Sequence, residues 1–550
     1  MPKTIIALAA ALLSSAAAAN TLIDNVNGIE AGPDGAIEHF RALLIDDNGK
    51  VIRLIAVNEE GDLNVQHRVD EHGATMLPGM IDAHGHVTDL GFYALRLNLT
   101  GIASLAALQQ RLRDYAAAHP DLKWIQGGGW NQELWPDKKF PTAADLDAVV
   151  SDRPVVLERV DGHAIVANNA AMRAAGVTPS TPAPPGGEIH DGVFVDHARE
   201  LIDKAIPKPT DTQLDQALSK AQDILLSVGV TGVGSMSTSV ADWEAFRRAG
   251  EAGRLNVRLM SYLLGTESLR AVPHPTPWLY GDRLRAVGIK FFADGALGSR
   301  GAWLKRPYAD KPETRGLRFH SDAEILNLTD QAAAAGFQVV THAIGDAANA
   351  QMISTYEQLQ RKYPGDRRWR IEHFQIVDPV DLPRLSPAGI IASMQPTHQT
   401  SDRLMAEARL GPNRLTGAYA WQSVLKSGAK LAFGTDFPVE SPNPFPGLSA
   451  AISRQDIKGQ PPGGWIPSER LTLGQALQAY TRGSAYAGFA EDRIGALEPG
   501  KWADFILIDR DPTKVDAQSL ARTQVLETWV AGKKVWGRTA NVSGAPERGK

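Results

Sequence analysis

Leu77-Pro78-Gly79-Met80-Ile81-Asp82-Ala83-His84-Gly85-His86 is an apolar run that ends in two histidines one residue apart. Side chains alternate across a strand, so residues two apart leave the same face and both imidazoles emerge on one side of the strand's end. Neutral imidazole nitrogen suits zinc and similar borderline divalent ions, which makes the pair a start to a metal site. A lone His-x-His also arises by chance, and its weight depends on what other strands bring to the same end.

Downstream, short apolar runs alternate with Ala-, Leu- and Gln-rich helical stretches, the pattern of parallel strands wrapped by helices. Residues 77–83, 155–160, 230–233, 287–292, 338–341, 370–374, 389–394 and 430–434 supply eight candidate strands. They predict an α/β protein with a (β/α)8 TIM-like barrel over residues 77–493, its site at the C-terminal strand ends. Residues 101–192, rich in Trp, Gly and Pro, read as an inserted subdomain. Residues 20–76 and 494–550 run in short apolar pieces between turn residues, such as Ala42-Leu43-Leu44-Ile45 and Phe505-Ile506-Leu507-Ile508. The two chain ends are therefore expected to pair into one composite β-sandwich.

His342 closes Val339-Val340-Thr341, and His373 closes Arg370-Ile371-Glu372, each at the end of an apolar run. Either alone reads equally as a hydrogen-bonded barrel histidine; with His84 and His86 they make four imidazoles at the end where barrel enzymes keep their chemistry. Asp436 follows Lys430-Leu431-Ala432-Phe433-Gly434-Thr435. A carboxylate there is a turn cap if exposed, but paired, metal-bound or catalytic if buried. Beside a divalent cation it would orient water and accept its proton. Lys290 sits within Gly288-Ile289-Lys290-Phe291-Phe292. An ion pair with Asp294 is its plain reading, yet an internal amine of depressed pKa can also take up carbon dioxide and become a carbamate anion.

The rest of the chain narrows the class. It has 550 residues, 43% hydrophobic and 22% charged, as expected of a globular protein with one large domain and at least one smaller one. Lys plus Arg (57) nearly balance Asp plus Glu (62) for a net charge of -5, which offers no polycationic surface to nucleic acid. With no cysteine, disulfides, thiol nucleophiles and thiolate ligands are excluded, and any metal must be held by nitrogen and oxygen. Residues 1–19 have the lysine, the short apolar run and the closing Ala17-Ala18-Ala19 of a cleaved signal peptide, so a periplasmic or secreted protein is expected, with no stable membrane insertion.

Several segments together resemble one family. They are Leu77 to His86, Gly127-Gly128-Gly129-Trp130-Asn131-Gln132, Asp161-Gly162-His163, Lys290 to Arg300, Arg370 to His373, Gln395-Pro396-Thr397-His398, Phe433 to Pro438 and Ile494 to Asp504. On these the chain resembles the amidohydrolase superfamily, in its YtcJ-like branch (amidohydrolase family 3), which includes N-substituted formamide deformylase. The resemblance implies a divalent metal cofactor, zinc by expectation, as one or two ions. It implies His84, His86 and Asp436 as ligands of the more buried ion and His342 and His373 as ligands of a second, with a carboxylated Lys290 between them. It also implies His163, Arg300, Trp130 and His398 as substrate-binding residues, each with an equally good structural reading. The expected function is hydrolysis of an amide-type C–N bond in a small molecule, N-acyl or N-formyl amines included, with Asp436 and His373 catalytic. Ester, carbamate and cyclic amide hydrolysis are alternatives at the same atoms, and a homodimer is a compatible assembly. An exported solute-binding protein is the rival from another class, but it has no need of four strand-end imidazoles and a carboxylate.

Overall fold

The computed structural model describes residues 20–538 apart from 60–62, 64, 161, 163, 179, 185 and 186. The expected signal peptide and the expected substrate residue His163 thus lie outside the described residues. Eight parallel strands follow one another in chain order: β1 (Met80–Gly85), β2 (Val230–Thr238), β3 (Arg258–Leu264), β4 (Leu284–Phe292), β5 (Gln338–Ala343), β6 (Arg370–His373), β7 (Ile391–Met394) and β8 (Lys430–Phe433). Helices such as Asp211–Ser227, Asp346–Lys362 and Pro396–Leu410 connect them, giving the expected α/β barrel.

One of the eight expected strands is corrected. Val155–Arg159 does not enter the barrel but pairs in parallel with Ile125–Trp130 and antiparallel with Ala164–Ala167 in a separate six-stranded sheet of the inserted subdomain. Val155 and Leu157 are buried there in one core with Leu97, Leu108, Leu112 and Leu146, and Val156 in another with Ile165 and Phe194. The barrel strand absent from the expectation is β3, whose sequence opens on Arg258 and carries Ser261 and Tyr262, so it does not read as an apolar run. Arg258 is wholly buried and makes paired hydrogen bonds to Asp504 at 2.6 and 2.8 Å, a partner supplied by the other end of the chain.

Barrel closure between β8 and β1 runs through the chain just beyond β8. Asp82, buried in β1, accepts from Thr435 N at 3.1 Å and Thr435 Oγ1 at 2.7 Å, and Asp436 N donates to His84 O at 2.8 Å. Gly434 permits that approach, because a Cβ there would lie 2.5 Å from Asp82 Oδ1 and 2.6 Å from His84 N. Inside the barrel, Ile81, Met236, Met260, Tyr262, Val287 and Val340 form an apolar plug with Ile494 of the returning chain.

The chain ends do meet. Phe505–Ile508 pairs antiparallel with Thr75–Pro78, joining the C-terminal strands to Asn27–Ala31, Ile37–Ile45 and Thr21–Asp24 in one nine-stranded sheet. Alternation along it feeds two apolar clusters, Ile23, Leu43 and Ile45 in one and Leu22, Ala42 and Leu44 in the other. Among the described residues no helix is long and apolar enough to cross a membrane.

Gly434→Ala is expected to lower stability by about 1–3 kcal/mol, since the atoms in the way are backbone and a pinned carboxylate. Denaturant unfolding of the variant beside the parent protein checks this.

Candidate active site

The C-terminal strand ends of β1, β5, β6 and β8 bring His84, His86, His342, His373 and Asp436 together. Asp436 Oδ1 lies 3.1 Å from His86 Nε2 and 3.3 Å from His84 Nε2. Asp436 Oδ2 lies 3.8 Å from His398 Nε2 and 4.0 Å from His373 Nδ1. One carboxylate is thereby shared by two clusters, His84, His86 and Asp436, and His373, His398 and Asp436, with one nitrogen or oxygen of each residue in a cluster within 4.8 Å of the others. Asp436 (φ 60°), His373 (φ 72°) and Phe374 (φ 46°) adopt the left-handed backbone, which costs a non-glycine residue on the order of 1–3 kcal/mol and clusters at functional sites.

His342 and His373, the pair expected at a second ion, lie side by side with ring centroids 4.6 Å apart, and His342 Nε2 is 3.5 Å from Asp294 Oδ1. His398, expected in the substrate pocket, also comes within 3.8 Å of Asp436 Oδ2. Lys290 makes no pair with Asp294, whose carboxylate accepts instead from the backbone N–H groups of Trp303, Ile344 and Gly345. Its amine is buried among the site residues, 5.1 Å from the Phe292 ring centroid, and acts electrostatically on His84, His342, His373 and Glu372.

The electrostatics suit a cation. Burial, and then the Lys290 charge, lower His84 to about 4 and His342 to about 3. Burial, and then His342 and His84, hold His373 well below its ordinary value. Burial alone would raise the Asp436 carboxyl, but His84, the His86 hydrogen bond and His373 keep it well below the usual carboxylate range. At neutral pH three imidazoles are therefore neutral and the carboxylate is charged. Burial lowers Lys290 to about 8, against the pull of Glu372 and Asp436.

Hydrogen bonds behind the imidazoles test the fit. His84 Nδ1–H donates to Glu372 Oε2 at 2.6 Å, leaving its Nε2 lone pair beside Asp436. His373 Nδ1–H donates to Gln395 Oε1 at 2.9 Å and likewise leaves Nε2 as the acceptor. His342 Nε2 is buried with no hydrogen-bond partner among the described residues. Outer acceptors that orient ligating histidines are characteristic of metal sites, so these donors fit a divalent cation.

Glu372 is the functional residue that sequence reasoning passed over. It stands inside the Arg370 to His373 segment with no role assigned, although a carboxylate two residues from an arginine on one strand shares its face. In the structure Arg370 Nε donates to Glu372 Oε1 at 2.8 Å and Arg370 Nη2 to Glu372 Oε2 at 3.0 Å. Asp82 was similarly unassigned. Of the remaining expected substrate residues, Trp130 is wholly enclosed in the inserted subdomain, where its indole N–H donates to Leu157 O at 2.9 Å. Arg300 is committed to Asp310, at 2.8 Å, on the loop after β4.

Fold and donor set together define a barrel hydrolase with a histidine- and aspartate-lined centre. The chain belongs to the amidohydrolase family, whose model matches residues 68–536. It is 32% identical to YtcJ of Bacillus subtilis over 477 residues, covering 84% of this chain and 89% of that protein. It is 26% identical to an N-substituted formamide deformylase of Arthrobacter pascens over 499 residues, covering 86% of this chain and 90% of that one. A crystal structure of a metal-dependent hydrolase from Pyrococcus horikoshii superposes with a TM-score of 0.77 at 30% identity, covering 90% of this chain and 99% of that one.

Glu372→Gln keeps an acceptor for His84 but leaves the buried Arg370 charge uncompensated. It is expected to cost about 3–5 kcal/mol of stability and to weaken metal affinity about 10- to 100-fold, read by denaturant unfolding and by chelator competition. Glu372 is held below its ordinary value of 4.5, so its contribution is complete above that pH and is lost as pH falls through the depressed value. The stability gap between parent and variant should therefore narrow on acidification.

Proposed function

We propose that the protein hydrolyses an amide-type C–N bond in a small molecule, using a divalent metal, zinc by preference, held by His84, His86 and Asp436 and extended by His373. The observation that carries this reading is the Asp436 carboxylate, which is buried and within 3.1 and 3.3 Å of the two β1 imidazoles. The similarity to N-substituted formamide deformylase supports an N-acyl or N-formyl amine as substrate.

A divalent cation at these donors supplies Lewis acidity, which brings the pKa of water toward neutrality. Asp436 orients the attacking water, takes its proton at a carboxylate oxygen and returns that proton to the leaving amine nitrogen. Glu372 keeps His84 in the tautomer that offers Nε2, and Arg370 keeps Glu372 ionised and in place. The low dielectric of the enclosed strand ends strengthens each of these interactions. Lys290, buried among the same side chains, is the residue we assign to carbamate formation, which replaces a cation by an anion beside the imidazoles.

Elemental analysis of protein purified without chelator should find about one or two equivalents of transition metal, lost in the His84→Ala/His86→Ala double variant. A folded protein that stays metal-free when offered zinc, manganese or cobalt would overturn the reading. Asp436→Asn should hydrolyse a screened N-formyl or N-acyl amine about 10²- to 10⁴-fold more slowly, and near-parent turnover would remove the proton-shuttle role. Growth with [13C]bicarbonate should give a carbamate carbon resonance that Lys290→Arg lacks; no such resonance in the metal-loaded parent would rule the modification out.

A further inference from the structure

Two imidazoles at the barrel mouth are fixed in opposite tautomers. His373 faces an acceptor, Gln395 Oε1, so its Nδ1 carries the proton and its Nε2 the lone pair. His398 faces a donor: the amide nitrogen of Gln375 donates to His398 Nδ1 at 3.1 Å. An amide nitrogen offers no lone pair, so His398 Nδ1 is the acceptor and the ring proton resides on Nε2. That Nε2–H is buried, has no hydrogen-bond partner among the described residues and lies 3.8 Å from Asp436 Oδ2. A ring nitrogen that carries a proton cannot ligate a cation. His398 thus stands next to Asp436 without the electronic character of a ligand.

Its surroundings are rich in unused polar atoms. Gln395 Nε2, Thr397 Oγ1 and both polar atoms of the Gln399 amide, Nε2 and Oε1, are also buried without partners among the described residues, and all belong to the start of the helix Pro396–Leu410. No side chain caps that helix, whose N-terminus carries partial positive charge toward the same region. An unpartnered, buried donor 3.8 Å from the carboxylate that handles the proton is what a developing oxyanion requires.

We propose that His398 is a catalytic residue that donates its Nε2–H to the substrate carbonyl oxygen and to the oxyanion formed on it, and that Gln375 is a positioning residue fixing the tautomer. The assignment deepens the amide-hydrolysis reading and rests on it. In the step, water oxygen bonds to the carbonyl carbon, the C=O π pair moves onto oxygen, and the water proton goes to Asp436. His398 shares its proton with that oxygen without transferring it. On collapse the π bond re-forms, the C–N bond breaks with its pair on nitrogen, and Asp436 returns the proton there. The helix start thereby selects substrates that present a carbonyl oxygen, not only an apolar group.

The test uses the metal-loaded full protein and four readouts. His398→Ala should keep the parent's metal equivalents, lose about 10²- to 10³-fold in kcat with little change in KM, and bind butylphosphonate, a tetrahedral anion, at least about tenfold more weakly by calorimetry. His398→Gln restores an amide N–H near the lost one and should recover part of both losses. Histidine 15N shifts should report Nε2–H at His398 in the parent and a mixed tautomer in Gln375→Leu. Loss of a metal equivalent in both His398 variants, unchanged kcat and phosphonate affinity, or an Nδ1–H tautomer in the parent would each overturn the assignment. If no amide is turned over while metal content, phosphonate binding and tautomer behave as expected, the amide reading fails and the oxyanion subsite stands.

Discussion

Arg370 is 1% exposed inside the barrel, and a charge so enclosed has to be compensated on every side. Its guanidinium donates to both oxygens of Glu372, to Tyr262 O–H at 2.7 Å, to Ala83 O at 2.9 Å and to Ser393 Oγ at 3.1 Å. These contacts tie β6 to β1, β3 and β7 across the interior. Glu372 then passes the constraint to His84, whose orientation and tautomer follow from it. A buried ion pair adds little net stability compared with a well-packed apolar replacement. What this one supplies is a fixed direction for the His84 nitrogen of β1 that faces Asp436.

The same device recurs where the chain ends meet the barrel. Arg258 of β3 is satisfied by Asp504, and Arg482 donates to Glu30 at 3.0 Å and to the backbone oxygen of Ala31 at 2.8 Å. Each pair joins residues hundreds of positions apart, so the nine-stranded sheet and the barrel hold each other in register. Asp82 does the equivalent at the seam of the barrel, where its carboxylate receives the chain just past β8 and so sets the height at which Asp436 emerges.

At the mouth the backbone carries strain that these anchors keep in place. Asp436 and His373 sit at left-handed φ at the ends of β8 and β6. The Asp436 amide donates to His84 O, so the bend that presents the carboxylate also secures the seam. Strand ends hold these groups, while polar atoms at the start of the helix Pro396–Leu410 are buried without partners among the described residues.

Much of this was legible in the chain. Strand periodicity located seven of the eight barrel strands, because a buried parallel strand must be apolar, and the same ends exposed His84, His86, His342, His373 and Asp436 as chemistry at the edge of apolar runs. The pairing of the two chain ends was also readable, since turn-bounded apolar pieces have to find partners. Three things belonged to tertiary structure alone. Val155–Arg159 and β3 exchanged roles because a run of Val and Leu can be buried in any sheet, whereas Arg258 enters a barrel only if a distant Asp504 neutralises it. The approach of His398 to Asp436, at 3.8 Å, joins the ends of two strands that no spacing in the chain relates. Which nitrogen of His84, His373 or His398 holds the proton was decided by Glu372, Gln395 and Gln375, residues whose amide or carboxylate character is written in the chain but whose partners only folding assigns.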